Sequence, residues 1–505
     1  MAELVEVRQG AYYDSVSLMQ VSRAVQESAG VRIALVAMAT ELNLGLLAGM
    51  GLPCPADAGP NDLLVAVRAD DDGSLTASLH ALDGALLDLA ARGASADGLG
   101  AAGPARTVGS AAGRLEATVA LVSVPGRHAF PEAVDALDAG LSVVLFSDNV
   151  PVEQEVRLKQ MAAERDLLVL GPDCGTAVIG GVGLGFANVI RSGRVGLVAA
   201  SGTGAQQLMC LLDAAGVGIG CCLGVGGRDL SSAVGGRSTR QALAALDADE
   251  GTDLIVVVSK PPAPEVSATI SAYAAALSTP VQFALLGAGQ PDLTTAAEVA
   301  IRTVGGTVPV WPTWGRPLEV RPPHEGQPRD REPRNGALRG LFSGGTLCEE
   351  AMLLASAALG PIASNIPLQP QWALPEDLRA EGHLMIDFGD DRLTLGRPHP
   401  MIDSSLRLER LAEEASDPHT AVVLLDVVLG HGAHPDPAAE FAPPIGAAVA
   451  GGNLAVVVSL CGAAGDPQGL DRQAVALRDA GATVFLSNAA AARHAVALVP
   501  TEASP

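Results

Sequence analysis

Two turns in this chain of 505 residues carry residue types at a spacing suited to holding an anion. Residues 195–209 (VGLVAASGTGAQQLM) and 338–352 (LRGLFSGGTLCEEAM) each read as a short apolar strand, a Ser/Gly-rich turn and the start of a helix. At Ser201, Gly202, Thr203 and Gly204, and again at Ser343, Gly344, Gly345 and Thr346, the first N–H groups of a helix lack intrahelical partners and lie at the positive end of its dipole. Glycine lets the main chain approach an anion closely, and the hydroxyls can cap the helix or bind the anion themselves. Either turn alone reads plainly as a well-capped βα turn. Written twice, the pattern predicts two cradles for phosphate or carboxylate.

Other side chains could add acid, base or charge. His431 and His434 in GHGAHPDP lie on a turn after an apolar run, either as an acid/base pair or as an exposed loop pair, and the His-x-x-His-x-Asp spacing is weak for a metal. Arg397 and His399 in GRPHP follow the acidic turn Asp390-Asp391, so Arg397 would grip a carboxylate or phosphate, or pair locally with the aspartates. Arg228 and Asp229 stand at the related place in the first half. Cys174 in GPDCGT has no visible activating base and reads as small-residue packing.

The elements that position these groups follow an α/β rhythm. A chain of this length needs several cores, and 48% hydrophobic residues with 58 glycines fits tightly packed βα units. Residues 1–110 alternate strand and helix patterns as a small α/β domain that ends in the Gly/Ala-rich stretch 91–114. From 111 to 192, apolar runs such as ATVALVSV and SVVLFS alternate with helical stretches, as in a parallel sheet buried on both faces. Residues 193–310 form another such unit, a proline-rich linker spans 311–337, and the last domain runs over 338–505.

Laid on each other from the two cradles, 193–310 and 338–500 repeat the same parts. After strand, cradle and helix come a strand with an acidic turn (GVGGRDL, DFGDDRL), a helix, a strand with a polar tip (VVVSKPPAPE, VLLDVVLGHGAHPDP) and a further strand. Two flavodoxin-like domains are expected, with ligands beyond the carboxyl ends of their strands.

Charge and composition exclude several classes. A net charge of −24 and 3% aromatics argue against nucleic acid as a partner. The seven cysteines form neither a disulfide framework nor a zinc spacing, and no metal is expected. The start of the chain lacks a basic region followed by an apolar stretch, and no apolar run is long enough to span a membrane. A cytoplasmic protein is the expectation.

The segment 124–181 (VPGRHAFPEAVDALDAG through GPDCGTAVIGG), with the Ser201 cradle and GVGGRD, resembles the α-subunit of succinyl-CoA synthetase and related acyl-CoA synthetases. Adding the second cradle, DFGDDRLTLGRPHPMID and YYDSVSLM near the start, the whole chain resembles the FdrA family. The resemblance implies a Rossmann-like CoA-binding-type domain over 111–192 and synthetase-like flavodoxin domains on either side of the linker. In the synthetases the cradles hold the phosphate of a phosphohistidine on a loop that corresponds to 287–306, and those residues contain no histidine. The FdrA resemblance therefore implies a subunit of an oxamate carbamoyltransferase, acting with two companion subunits as an oligomer. It would convert a ureido substrate, oxalurate, and phosphate into oxamate and carbamoyl phosphate with no cofactor required. The alternative is an acyl-CoA synthetase that binds CoA and works with a nucleotide-grasp partner, and a third reading is a scaffold whose cradles merely bind anions.

Overall fold

Apolar runs bounded by glycine and proline become strands, and the amphipathic stretches between them become helices. The computed structural model describes residues 1–9, 13, 15–55, 58–94, 105–315, 336–395, 397–450 and 454–499. Most of the proline-rich linker, 316–335, lies outside the described residues. Two units are present, Met1–Pro104 and Ala105–Pro505, divided within the Gly/Ala-rich stretch.

The first unit runs β1 (Ala2–Arg8), α1 (Ser15–Gln26), β2 (Val31–Met38), α2 (Glu41–Gly49), β3 (Leu63–Ala69) and α3 (Asp72–Ala94). Its sheet is antiparallel in the order β1-β3-β2. Side chains alternate across β3, so Leu63, Val65 and Val67 pack with Leu18 and Leu82 of α1 and α3, while Leu64 and Ala66 pack with Leu47 of α2. Burial on both faces explains why LLVAVRA is apolar without a break.

The second unit opens with α4 (Val108–Ala112), β4 (Val119–Val122), α5 (Gly126–Asp138), β5 (Ser142–Leu145), α6 (Val152–Glu164) and β6 (Val169–Leu170), a three-stranded parallel sheet. The next strands, β7 (Thr176–Ile179) and β8 (Val182–Gly185), belong to the following sheet, although the sequence groups them with the preceding domain. Gly180 and Gly181, both at positive φ, close them into a hairpin, and Val178 pairs with Cys222 of the next sheet.

That sheet continues through β9 (Ser192–Ala200), α7 (Gly202–Ala214), β10 (Ile219–Gly224), α8 (Arg237–Asp247), β11 (Leu254–Ser259), α9 (Pro264–Ala274), β12 (Val281–Leu285) and α10 (Leu293–Thr303). After β13 (Thr313–Trp314) the last half contains β14 (Ala337–Phe342), α11 (Gly345–Leu359), β15 (Ala363–Ser364), β16 (Leu384–Asp387), α12 (Asp391–Thr394), α13 (Ser405–Ser416) and β17 (Thr420–Val428). It ends with α14 (Pro437–Ala450), β18 (Ala455–Cys461), α15 (Leu470–Asp479), β19 (Thr483–Phe485) and α16 (Asn488–Leu498). The strand orders β12-β11-β9-β10 and β18-β17-β14-β16 match part for part, with parallel neighbours throughout.

The two halves share one apolar core, to which α7 and α10 contribute from the first and α11 and α16 from the second. Polar bonds fix their register. Asn488 Nδ2 donates to Glu350 at 2.7 Å, the Leu293 N–H donates to the same carboxyl at 2.6 Å, and Thr294 and Ser487 share a hydroxyl bond of 2.6 Å. Among the described residues no helix is long and apolar enough to cross a membrane.

Candidate active site

Packing α7 against α11 brings the two cradles together. Ser201 caps α7 by accepting the Gly204 N–H at 3.0 Å, and its Oγ lies 2.6 Å from Thr346 Oγ1 in the first turn of α11. The turns are 145 residues apart in the chain, yet they form one site. Glycine makes the approach possible. A Cβ on Gly344 would lie 2.7 Å from Thr203 Cγ2, and one on Gly204 would lie 3.1 Å from Thr346 Cγ2. Gly344→Ala is expected to destabilise the chain by about 1–3 kcal/mol through overpacking. A urea midpoint equal to the parent's would mean that the helix ends lie further apart.

The second cradle is partly filled from within. Asp426, fully buried in β17, accepts the Ser343 N–H at 2.7 Å, the Ser343 hydroxyl at 3.0 Å and the Gly344 N–H at 2.9 Å. Ser343 therefore does not cap α11, whose cap is Gly344 with no side-chain bond. The expectation that Ser343 and Gly344 face an external anion is corrected by this carboxylate. The open donors of the joint site are the N–H groups of Gly202 and Thr203 on one helix and of Gly345, Thr346 and Leu347 on the other, the early helical positions that no carbonyl can reach.

Two groups that the sequence reading did not single out sit against these donors. A Cβ on Gly345 would be 2.5 Å from Asp387 Oδ2 and 3.2 Å from Lys260 Nζ, which places both functional groups over the start of α11. Lys260 follows β11 and Asp387 ends β16, each at the carboxyl edge of its sheet. Burial pushes the Asp387 carboxyl up to about 7, while Lys260 and the Gly389 N–H pull it back. It can therefore carry a proton near neutrality. Sulfate keeps its charge through this range, and its affinity is expected to be about tenfold higher at pH 6 than at pH 8, because ionised Asp387 repels it. Asp387→Asn should bind sulfate equally well at both; titration calorimetry decides, and an unchanged pH dependence would remove Asp387 from the site.

Of the other residues expected from sequence, some gather and some do not. Arg228 and Asp391 both act on Asp173, whose buried carboxyl is pushed to about 7, first by burial and then by Asp391 and Asp148. Arg228 is anchored through one nitrogen, its Nη2 donating to Val150 O at 2.8 Å and lying 3.0 Å from Glu155 Oε2. Asp229 is structural. It bonds the fully buried Lys159 at 2.7 Å and accepts the Ser238 and Thr239 N–H groups at the start of α8. Asp390 caps α12 and pairs with Arg392 at 3.0 Å, whereas Arg397 is exposed.

The three histidines have different surroundings. His434 accepts the Asp436 N–H at Nδ1 and meets Glu440 through Nε2 at 3.1 Å, so it holds the start of α14 and is not a catalytic base. His431 pairs through its backbone with Ala187, and its exposed ring makes no hydrogen bond among the described residues. His399 packs on Phe186 with centroids 5.2 Å apart, and burial drives its pKa down to about 4. Its Nδ1 accepts the Met401 N–H, leaving the proton on Nε2 beside Gly389. A half-buried neutral imidazole can orient the 387–389 turn. Cys174 is buried and its thiol is pushed up to about 12, as expected for packing.

The chain is similar to several known proteins. An uncharacterized protein of Escherichia coli K12, YahF, is 38% identical over 504 residues, 97% of each chain. The chain belongs to the YahF family. In this family member, residues 341–498 match the CoA-ligase model, which begins at the strand before the second cradle. Residues 1–101 match a model described as AllF, heavy metal-associated domain. The α-subunit of the ADP-forming succinate–CoA ligase of Methanothermobacter thermautotrophicus is 24% identical over 196 residues, 38% of this chain and 65% of that one. Solved structures include an ATP citrate lyase from Methanothrix soehngenii with citrate and coenzyme A (20% identity, 40% and 38% of the chains, TM-score 0.32). Another is an acetyl-coenzyme A synthetase of Ca. Korarchaeum cryptofilum with phosphate and ADP (16%, 80% and 86%, TM-score 0.27).

The name of the first domain implies a metal, and its residues do not fit one. Within 1–104 the thiols and imidazoles amount to Cys54 and His80. Among the described residues no group of three His, Cys, Asp or Glu could hold an ion.

Proposed function

We propose that this YahF-family chain is the acyl- and phosphate-handling part of an acyl-CoA ligase, with the nucleotide supplied through a companion subunit. The observation that carries the reading is the 2.6 Å contact between Ser201 and Thr346, which joins two helix ends into one anion site within a single chain. The CoA-ligase match over the second cradle supports it.

Phosphate bound by the open N–H groups and Lys260 lies where it can attack an acyl carbonyl. The C–O bond forms as the carbonyl of an acyl-CoA thioester becomes an oxyanion, held by the same preorganised donors, and its collapse breaks the C–S bond, the CoA sulfur leaving as the thiol with a proton from Asp387 and an acyl phosphate remaining. Transfer in reverse uses Asp387 as the base. CoA supplies the thiol that exchanges with the acyl phosphate. Its phosphates would be held at the start of α5, where Pro125 offers no side-chain cap and the exposed Arg127 carries a positive charge, its Nε donating to His128 Nε2 at 3.0 Å.

Carbamoyl transfer is the second reading, favoured by the absence of histidine from residues 287–306. Phosphate would then attack a ureido carbonyl at the same site, with oxamate or a related amide leaving. The assembled complex decides between them. CoA-dependent consumption of nucleotide with a carboxylic acid is the expected result, carbamoyl phosphate formed from oxalurate and phosphate without CoA would establish the second reading, and neither activity would overturn both.

A further inference from the structure

Helix α11 bears a second surface beside its cradle. Glu349, Leu353 and Ser356 fall at i, i+4 and i+7, one face of the helix, beginning a turn after Thr346. That face forms one wall of a cavity of about 520 Å³, a size that suits a small organic ligand. The lining also takes Ile366, Leu368 and Trp372, and from the other half Pro261, Gly287 and Ala288.

The charges on this cavity are one-sided. Glu349 is the only ionisable residue in its lining, and Lys260, the neighbour of the lining residue Pro261, has its Nζ 3.8 Å from Glu349 Oε2 and over the start of α11. Burial raises the Glu349 carboxyl above the usual range, and Lys260 opposes that shift. A ligand carboxylate would thus be attracted beside Lys260 and repelled by Glu349 where it enters the lining. An apolar body would be favoured inside, by about fourfold in affinity for each methylene it buries.

We infer that this cavity is the acyl pocket and takes the apolar body, branched aliphatic or aryl, of a monocarboxylic acyl group whose head lies at Lys260 and the paired helix ends. The inference rests on the reading of those helix ends as the reacting centre. It excludes dicarboxylates such as succinate from the deep part of the pocket.

Titration calorimetry on the full chain with acetate, isovalerate, phenylacetate, succinate and inorganic phosphate tests it. Isovalerate and phenylacetate are expected to bind at least tenfold more tightly than acetate or succinate, and Glu349→Gln should narrow the gap for succinate. Leu353→Trp, which fills the cavity, should weaken phenylacetate about tenfold and leave phosphate affinity unchanged, which also reports that α11 is intact. Equal affinity for all four acids, or phenylacetate binding that ignores Leu353→Trp, overturns the acyl pocket while phosphate binding leaves the helix-end reading standing. Failure of phosphate to bind the parent protein overturns the helix-end reading, and the acid series then judges the cavity by itself.

Discussion

Replacing Arg407 by methionine is expected to lower the stability of the chain by about 3–5 kcal/mol, since it leaves a buried carboxylate without its counter-charge. Arg407 Nη2 lies 2.8 Å from Asp426 Oδ1, both side chains are almost wholly buried, and the guanidinium stacks 4.9 Å from the centroid of the Phe441 ring. Burial already holds the Asp426 carboxyl above its ordinary range, with Arg407 the chief opposing influence. Without the arginine, the folded-state pKa rises further above that of the unfolded chain. The folded state then retains a proton that the unfolded state releases, so the penalty grows as pH rises from the unfolded value of Asp towards the raised folded one. Urea unfolding of parent and variant should show a larger gap at pH 8 than at pH 5. Adding Asp426→Leu removes the stranded charge and should recover part of the loss, though not all, because the Ser343 and Gly344 N–H groups then lose their acceptor. A single variant as stable as the parent at pH 8 would show that Asp426 does not need its arginine.

The same pair shows where the sequence can be read and where it cannot. Each cradle is visible locally, because an apolar strand followed by SGTG or SGGT and a helix has few structural outcomes. That the cradles face each other is written in no single stretch. It depends on small side chains at Gly204 and Gly344 meeting Thr346 and Thr203 across the shared core, a pairing that strand and helix periodicity do not encode. Asp426 did leave a signal, as one carboxylate within the apolar strand TAVVLLDVV, where a buried charge requires partners. Asp229 and His434 misled for the opposite reason. Polar residues on turns after strands serve equally well as helix-start anchors, and in both cases neighbouring N–H groups and side chains had taken them up. Lys260 leaves no such signal, because a lysine at a strand tip usually faces water, and only the return of α11 beneath it makes it part of a site.

Lys260→Met is expected to reduce turnover of the assembled enzyme about 10²–10³-fold, the usual cost of removing one preorganised donor from an oxyanion site. The helix N–H groups remain, so binding should suffer less than chemistry, with inorganic phosphate weakened about tenfold. A second consequence separates a functional lysine from a merely structural one. Lys260 is the strongest influence drawing the Asp387 pKa down against burial, so its removal lets Asp387 keep its proton to higher pH. In the parent, ionisation of Asp387 centres near 7, and in the variant the corresponding step in sulfate affinity should move above that value. Lys260→Arg keeps the charge with a bulkier head, and is expected to retain the parent's pH step more nearly than its turnover. If Lys260→Met leaves both the pH step and phosphate affinity where they were, then Lys260 does not face the paired helix ends in solution. The anion site would then consist of backbone donors and the Ser201 and Thr346 hydroxyls alone.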